Sequence, residues 1–497
     1  MPTLLGLTKS SIMNRRKQPS SHTTSHTQSH AQAHLQTAKP AVAIVWLRRD
    51  LRFRDNTALN AALSQQSAVL PIFIFDPHIL KTLPQNDARV RFIHQRLQQM
   101  HAYLAKHHGS GIARYHGDPL SIFQQLRQQM TITAVYANRD YEPYARQRDN
   151  RIAAYLDKHH IAFHTFKDHV IFEPHEVVKT DQSPYTVYTP YMKCWRQQLA
   201  QQWATSAYNA DTDMNNHIPT TNWATLADYP SVSLASMGFT AMTNTPNADN
   251  TAQNICAEGT HIESIRTYDI SDDVLMHYGE TRDFPAQDAT SHLGPHLRFG
   301  TISIRQVMKK AQQYHADIFQ NELIWREFFM QILWHFPHTT TQCFHAKYEA
   351  VAWRHNEQDF ARWCQGTTGY PLVDAGMREL NATGYMHNRV RMVVASFLCK
   401  HLLIDWRWGE AYFAEKLHDY EQASNVGNWQ WAAGCGVDAA PYFRIFNPHL
   451  QAQKFDANLC YISRWVPEYN TANYSSPIID HKAARARCLA TYQQALK

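Results

Sequence analysis

Residues Ala41–Leu47 read AVAIVWL. An unbroken apolar run rich in β-branched residues has no polar face to turn to water. As a strand it must be covered on both sides, which is the situation of a parallel sheet between layers of helices. VLPIFIF (69–75), ITAVYA (132–137) and IAFHTF (161–166) repeat the texture. The stretches between them carry a helical period instead, as in VRFIHQRLQQMHAYLAKHH (90–108). Strand alternating with helix predicts an α/β domain, Rossmann-like, over residues 41–175.

Working outward, both flanks change character. Residues 1–40 are rich in Ser, Thr, Gln and His and contain no acid, which reads as a disordered arm. His22, His26, His30 and His34 recur every fourth residue there; flexible repeat drift is the reading preferred over a metal site. An organelle transit peptide ranks second for the arm. On the other side, residues 176–262 read as an interdomain linker, with NADTDMNN (209–216) and TNTPNADNT (243–251) the least core-like parts. From residue 263 to 497 strand signals vanish. QNELIWREFFMQILWHF (320–336) and GYMHNRVRMVVASFLCKHLLIDW (384–406) predict an all-α second domain.

The 497-residue length fits two or three domains, and 44% hydrophobic and 12% aromatic residues supply their cores. A net charge of +6 favours an anionic partner without naming it. Eight cysteines with no C-x-x-C pair imply reduced, mostly buried thiols, neither a disulfide framework nor a zinc site, so no metal is expected. No apolar run approaches membrane-spanning length, and a cytoplasmic monomeric enzyme is expected.

Four stretches carry candidate chemistry. In NVGNWQWAAGCGVDAAPYFRIFNP (425–448), two indoles one residue apart sit among glycines, a setting in which something flat approaches the backbone. In YMHNRVRM (385–392), Asn388, Arg391 and Met392 fall at i, i+3 and i+4, one helix face bearing an amide, a guanidinium and a thioether. ELIWREF (322–328) sets Glu322, Trp325 and Arg326 at the same spacing; an indole can stack on an extruded base and a carboxylate can bond a pyrimidine edge. TSHLGPHLRFG (290–300) puts Thr290 and Ser291 before a helix, a phosphate-binding arrangement that is more often only a cap. Each also has a bland reading: an amphipathic helix with a surface arginine, or a core tryptophan beside a surface ion pair.

Together with WLRRDLRFRDNTAL (46–59), TSHLGPHLRFGTIS (290–303) and GYPLVDAGMREL (369–380), these stretches resemble the photolyase/cryptochrome family. The motifs stand in the family's order and cover 41–497 apart from the linker. The nearest resemblance is to class I cyclobutane pyrimidine dimer photolyases. It implies FAD in the helical domain. Thr290, Ser291, His292, Leu293 and Gly294 match the segment that holds the diphosphate, His292 standing where relatives often carry Arg. Tyr278 also matches a cofactor contact. Asp419, Tyr420 and Glu421 follow the flavin ring, with Glu421 where Asp is common, and Arg391 pairs with Asp419. Asn425 faces flavin N5, where a neutral amide can bond a protonated nitrogen.

The resemblance assigns Glu322, Trp325, Arg326, Asn388, Arg389, Met392, Trp431 and Gln451 to the damaged DNA. Asn388 and Met392 stand where photolyases of the (6-4) type carry histidines. Trp429, Trp406 and Trp353 match an electron relay. A second, antenna chromophore is implied, either methenyltetrahydrofolate or a deazaflavin, since Tyr144 and Ala145 replace the Asn-Glu pair of folate binders. After RWVPEY a loop and helix common in relatives are missing. The implied reaction is light-driven repair of pyrimidine dimers. A cryptochrome-type photoreceptor and a dark flavin oxidoreductase are the rivals.

Overall fold

The computed structural model describes residues 39–204, 221–240 and 265–497. The histidine series and both low-complexity stretches lie outside the described residues. Five strands form one parallel sheet: β1 (Ala41–Leu47), β2 (Val69–Phe75), β3 (Ala113–His116), β4 (Thr131–Asn138) and β5 (Ala162–Phe166), in the order β3-β2-β1-β4-β5. Alternate residues of β1 face opposite ways, as the pleat demands. Ala43, Val45 and Leu47 enter a core with helices Thr57–Gln65 and Ala88–His108, while Val42, Ile44 and Trp46 enter a second core with helices Pro119–Gln129 and Pro143–Lys158. Covering both faces explains the unbroken apolar run. Burying each large side chain contributes about 1.5–3 kcal/mol. The expected α/β domain is present, with β3 as an added strand.

Beyond it the described residues form helices. Two buried clusters hold them together, one around Trp363, Phe397, Trp406 and Trp429, the other around Trp195, Phe319, Phe328 and Leu333. Part of the expected linker belongs to this packing, which corrects that reading for its described residues. Helix Tyr188–Ala204 lies against helix Asp317–His335, and Trp195 donates to the buried carboxylate of Glu327. Residues 221–240 lie on the sheet instead. Val69 donates to Asn222 O (2.7 Å) and accepts from Ala224 N (2.9 Å), and Met237 and Phe239 join the sheet's core. No helix among the described residues is long and apolar enough to cross a membrane.

The order β3-β2-β1-β4-β5 reverses between β1 and β4, and the crevice beyond their carboxyl ends is where such sheets present chemistry. Here that crevice carries charge. Arg49, just past β1, pairs with Asp140 (3.0 Å) just past β4, and also with Glu421 of the helical part. Gly300 lets the two parts meet. It has φ +64°, and a Cβ there would lie 2.0 Å from Arg49 O. Leu51 N donates to Phe299 O at 3.0 Å beside it.

Candidate functional site

Helix Gln422–Ala433 begins after Glu421 and buries Asn425 and Trp429. Helix Trp406–Lys416 approaches so closely that a Cβ on Gly409 would lie 2.1 Å from the Trp429 indole, so the glycine is a packing requirement. Helix Asn388–Ser396 closes a third side, and its expected face is realised: Asn388, Arg391 and Met392 all line one cavity of about 210 Å³. Asp419, Tyr420, Glu421, Asn425, Trp429, Trp431 and Gly294 line it too. Gly294 meets Asp419 so tightly that a Cβ would fall 2.7 Å from the carboxylate.

The polar groups of this cavity are held in place. Arg391 makes a two-pronged pair with Asp419, at 2.8 and 3.2 Å, and donates to Met386 O. The Asn425 amide donates to the Glu410 carboxylate (2.9 Å) and to Glu410 O (3.1 Å). Burial pushes the Glu410 carboxyl up, against the bonds from Asn425 and Tyr420. Glu410 has no counterpart in the sequence reading; fifteen residues separate it from Asn425, and no spacing rule links two helices. Burial alone would raise the Glu421 carboxyl, but Arg326, Arg49 and Arg298 more than offset it and hold it at about 2.

The remaining expected residues spread around this cavity. Glu322 pairs with Arg282, and Arg389 with Asp283 (2.6 Å) while its guanidinium lies 4.4 Å from the Phe455 ring centre. Trp325 is half-buried and lies flat on Tyr188, centroids 3.6 Å apart and planes 6° from parallel. Tyr188 was read as linker and is a missed part of this surface. Arg326 lines the cavity, and its guanidinium is bound to Glu421 (3.0 Å) and His169 O (2.9 Å). Gln451 is half-buried on helix Pro448–Phe455. Thr290 shares a hydrogen bond with Tyr385 (3.1 Å), and His292, at φ +49°, meets Asp288 at 2.7 Å. Ser291 is half-buried and Leu293 buried; with His292 they precede and open the short helix Leu293–Arg298, of which Gly294 reaches the cavity. Tyr278 packs edge-on against Phe319.

Of the three relay tryptophans, Trp429 lines the cavity, Trp406 is fully buried and Trp353 is half-buried. Next to Trp353, Arg354 N donates to Leu403 O (2.7 Å), three residues before Trp406, and the Trp353 ring packs edge-on against Tyr492. Trp363, absent from the sequence reading, lies 6.1 Å from Trp429. At the sheet edge, Tyr144 donates to Asp76 and stacks on His78 (4.4 Å), and Ala145 is buried.

A flat heterocycle with polar edges fits the cavity. An indole wall, a carboxamide, a guanidinium–carboxylate pair and a glycine where a side chain would intrude supply the contacts such a ring needs, which is the donor set a flavin requires.

Comparison with known proteins points the same way. Residues 43–208 match the family described as DNA photolyase, and residues 319–473 match the FAD binding domain of DNA photolyase. The deoxyribodipyrimidine photo-lyase of a Synechococcus strain is 35% identical, with 91% of this chain and 97% of that protein covered. The structure of a class III photolyase from Agrobacterium tumefaciens aligns with TM-score 0.75 and 33% identity, covering 94% of this chain and 99% of that one. An archaeal photolyase from Sulfolobus tokodaii, described with two FAD molecules, aligns with TM-score 0.72 and 31% identity, covering 91% of this chain and 100% of that one. Sheet, helical half and cavity thus coincide with a relationship that runs nearly end to end, and the chain belongs to the DNA photolyase family.

Proposed function

We propose that this protein repairs cyclobutane pyrimidine dimers in DNA under blue light, using reduced FAD in the cavity between helices Asn388–Ser396 and Gln422–Ala433. The observation that carries the reading is the mixture of groups on one cavity: Asn425, Arg391 and Asp419 suit a flavin edge, while Asn388, Met392 and Trp431 stand beside them for the lesion. Bound there and reduced, FAD would supply light-driven one-electron chemistry to the dimer.

The chain's own residues do the rest. Arg391 and Asp419 would hold the ring edge, and the Asn425 amide, whose nitrogen is engaged by Glu410, would have its oxygen free to accept from a protonated ring nitrogen. Trp325, backed by Tyr188, offers an aromatic face to an extruded base, a contribution of about 1–3 kcal/mol. Flipping a dimer costs less than flipping an intact base, because a damaged base stacks poorly. Arg389 and Arg282 are already paired with acids, so DNA phosphates and the lesion exchange with those carboxylates on binding. Trp429, Trp406 and Trp353 provide oxidisable rings from the cavity outward. A second chromophore of folate or deazaflavin type completes the reading; Asn388 and Met392 in place of histidines speak against the (6-4) branch, and the class I assignment rests on the resemblance of the motifs.

The test mixes reduced, FAD-loaded protein with an oligonucleotide carrying one thymine dimer, under blue light and in darkness. Loss of dimer in light alone is expected. Equal, negligible loss in both arms overturns the proposal.

A further inference from the structure

The short helix Leu293–Arg298 has a cavity on each side. Gly294 and Leu297 line the one described above. His296 lines a second, of about 440 Å³, together with Tyr268. Its opposite wall belongs to the α/β half, where helix Ala88–His108 contributes Arg91, Phe92 and Arg96.

Among the described residues neither arginine has a carboxylate partner. Arg96 is half-buried and donates from Nε to Leu51 O (3.0 Å), with Gln99 at 3.5 Å from Nη1. Arg91 donates to Asn86 O (2.6 Å). Burial lowers the Arg96 pKa, opposed only by Tyr268, so its charge is poorly compensated. A desolvated guanidinium with free N–H groups is a receptor for carboxylate or phosphate. Aromatic surface lies beside it. His296 is held edge-on by Phe92 (5.6 Å) and Tyr268 (4.9 Å), and both its nitrogens are occupied, by Thr301 and by Arg266 O. Tyr268 is 38% exposed. Solvated surface arginines are the ordinary alternative, but they do not account for aromatic walls and an interdomain cavity around them.

We propose that this second cavity binds an anionic molecule built on a flat aromatic ring, its acid group on Arg91 and Arg96 and its ring against Tyr268. Two guanidinium groups repel a metal ion or an organic cation. At the position of Tyr144 and Ala145 the tyrosine is engaged by Asp76 and His78, whereas the arginines of this cavity keep N–H groups for a ligand. One helix separates the two cavities, roughly 10–12 Å across. An occupant therefore lies close enough to a flavin to serve as the second chromophore; that role rests on the proposed function, whereas the binding does not.

The test is equilibrium dialysis of the purified full chain, as isolated with its flavin, against methenyltetrahydrofolate and, separately, FMN. Wild type is expected to take up one equivalent of probe. The double variant Arg91→Gln/Arg96→Gln is expected to weaken uptake tenfold or more with unchanged flavin content and melting temperature. Gln95→Glu, which adds a repelling carboxylate at an exposed position and leaves both arginines in place, is expected to weaken it as well. Tyr144→Ala is expected to bind as wild type. No uptake by wild type, uptake unaffected by the double variant and by Gln95→Glu, or a loss confined to Tyr144→Ala overturns the proposal. Uptake by a protein without flavin upholds this site and counts against the proposed repair activity.

Discussion

Trp325 and Asn425 show how single side chains are made ready by a neighbour. Trp325 has one face covered by Tyr188, so the indole cannot turn without unstacking. Trp325→Ala is expected to weaken binding of a dimer-containing oligonucleotide by about 1–3 kcal/mol, roughly five- to 150-fold, with binding of undamaged duplex little changed. Fluorescence anisotropy on both DNAs checks it. For Asn425 the neighbour is Glu410. Glu410→Leu leaves the amide one backbone partner, and a lost hydrogen bond of about 1 kcal/mol predicts a roughly fivefold slower repair rate at saturating DNA. Glu410→Gln, which keeps an acceptor, should recover most of it. Arg391, Met392 and Asn388 were legible in the sequence because helix spacing puts them on one face. Glu410 and Tyr188 were not, because each reaches its partner across helices far apart in sequence.

At the scale of elements, helix Asp317–His335 acts as a clamp through Glu327, whose carboxylate accepts from Ile171 N (2.7 Å), Phe172 N (3.0 Å) and Trp195. Burial pushes this carboxyl up to about 7, despite those bonds. The folded state therefore holds its proton where the unfolded chain has lost it. That contribution to stability is full below the ordinary carboxyl pKa and is lost as pH rises towards 7. The unfolding free energy of wild type from urea titrations is expected to fall between pH 5 and 7 relative to Glu327→Gln, by no more than about 3 kcal/mol, and to run parallel above pH 8. Gly300→Ala meets both a positive φ and Arg49 O; it is expected to cost several kcal/mol, visible as a melting temperature lower by at least about 5 °C. The strands with unbroken apolar runs were readable from sequence. β3, ARYH, was not, since its four residues carry no period. Helix Tyr188–Ala204 was hidden within a segment read as polar, because its partners, Trp325 for Tyr188 and Glu327 for Trp195, lie more than a hundred residues away.

Over the whole molecule, the decisive feature is the charged seam at the crevice between β1 and β4. Glu421 reaches Arg49 from the cavity wall, Arg298 reaches Glu142, and Arg305 joins Asp168 (2.8 Å) to Asp55 (2.9 Å). Glu421→Gln takes from the buried Arg326 guanidinium its carboxylate and from Arg49 one of several, and is expected to cost about 3–5 kcal/mol at pH 7. Because the Glu421 carboxyl is held at about 2, its contribution is full above pH of about 4.5 and is lost as pH falls towards 2. The gap between wild type and variant in thermal melting should therefore narrow on acidification from pH 5 to 3. Two halves could be read from the sequence; the seam could not, since its partners lie hundreds of positions apart, as with Arg49 and Glu421.

Gly300 lies at that seam and has a wider consequence. Backbone meets backbone there, so swinging the helices away from the sheet at this point means breaking the Leu51–Phe299 hydrogen bond. If a second pigment sits on one half, as proposed, its distance and tilt toward a flavin in the other are expected to be fixed when the chain folds, with DNA bound or not.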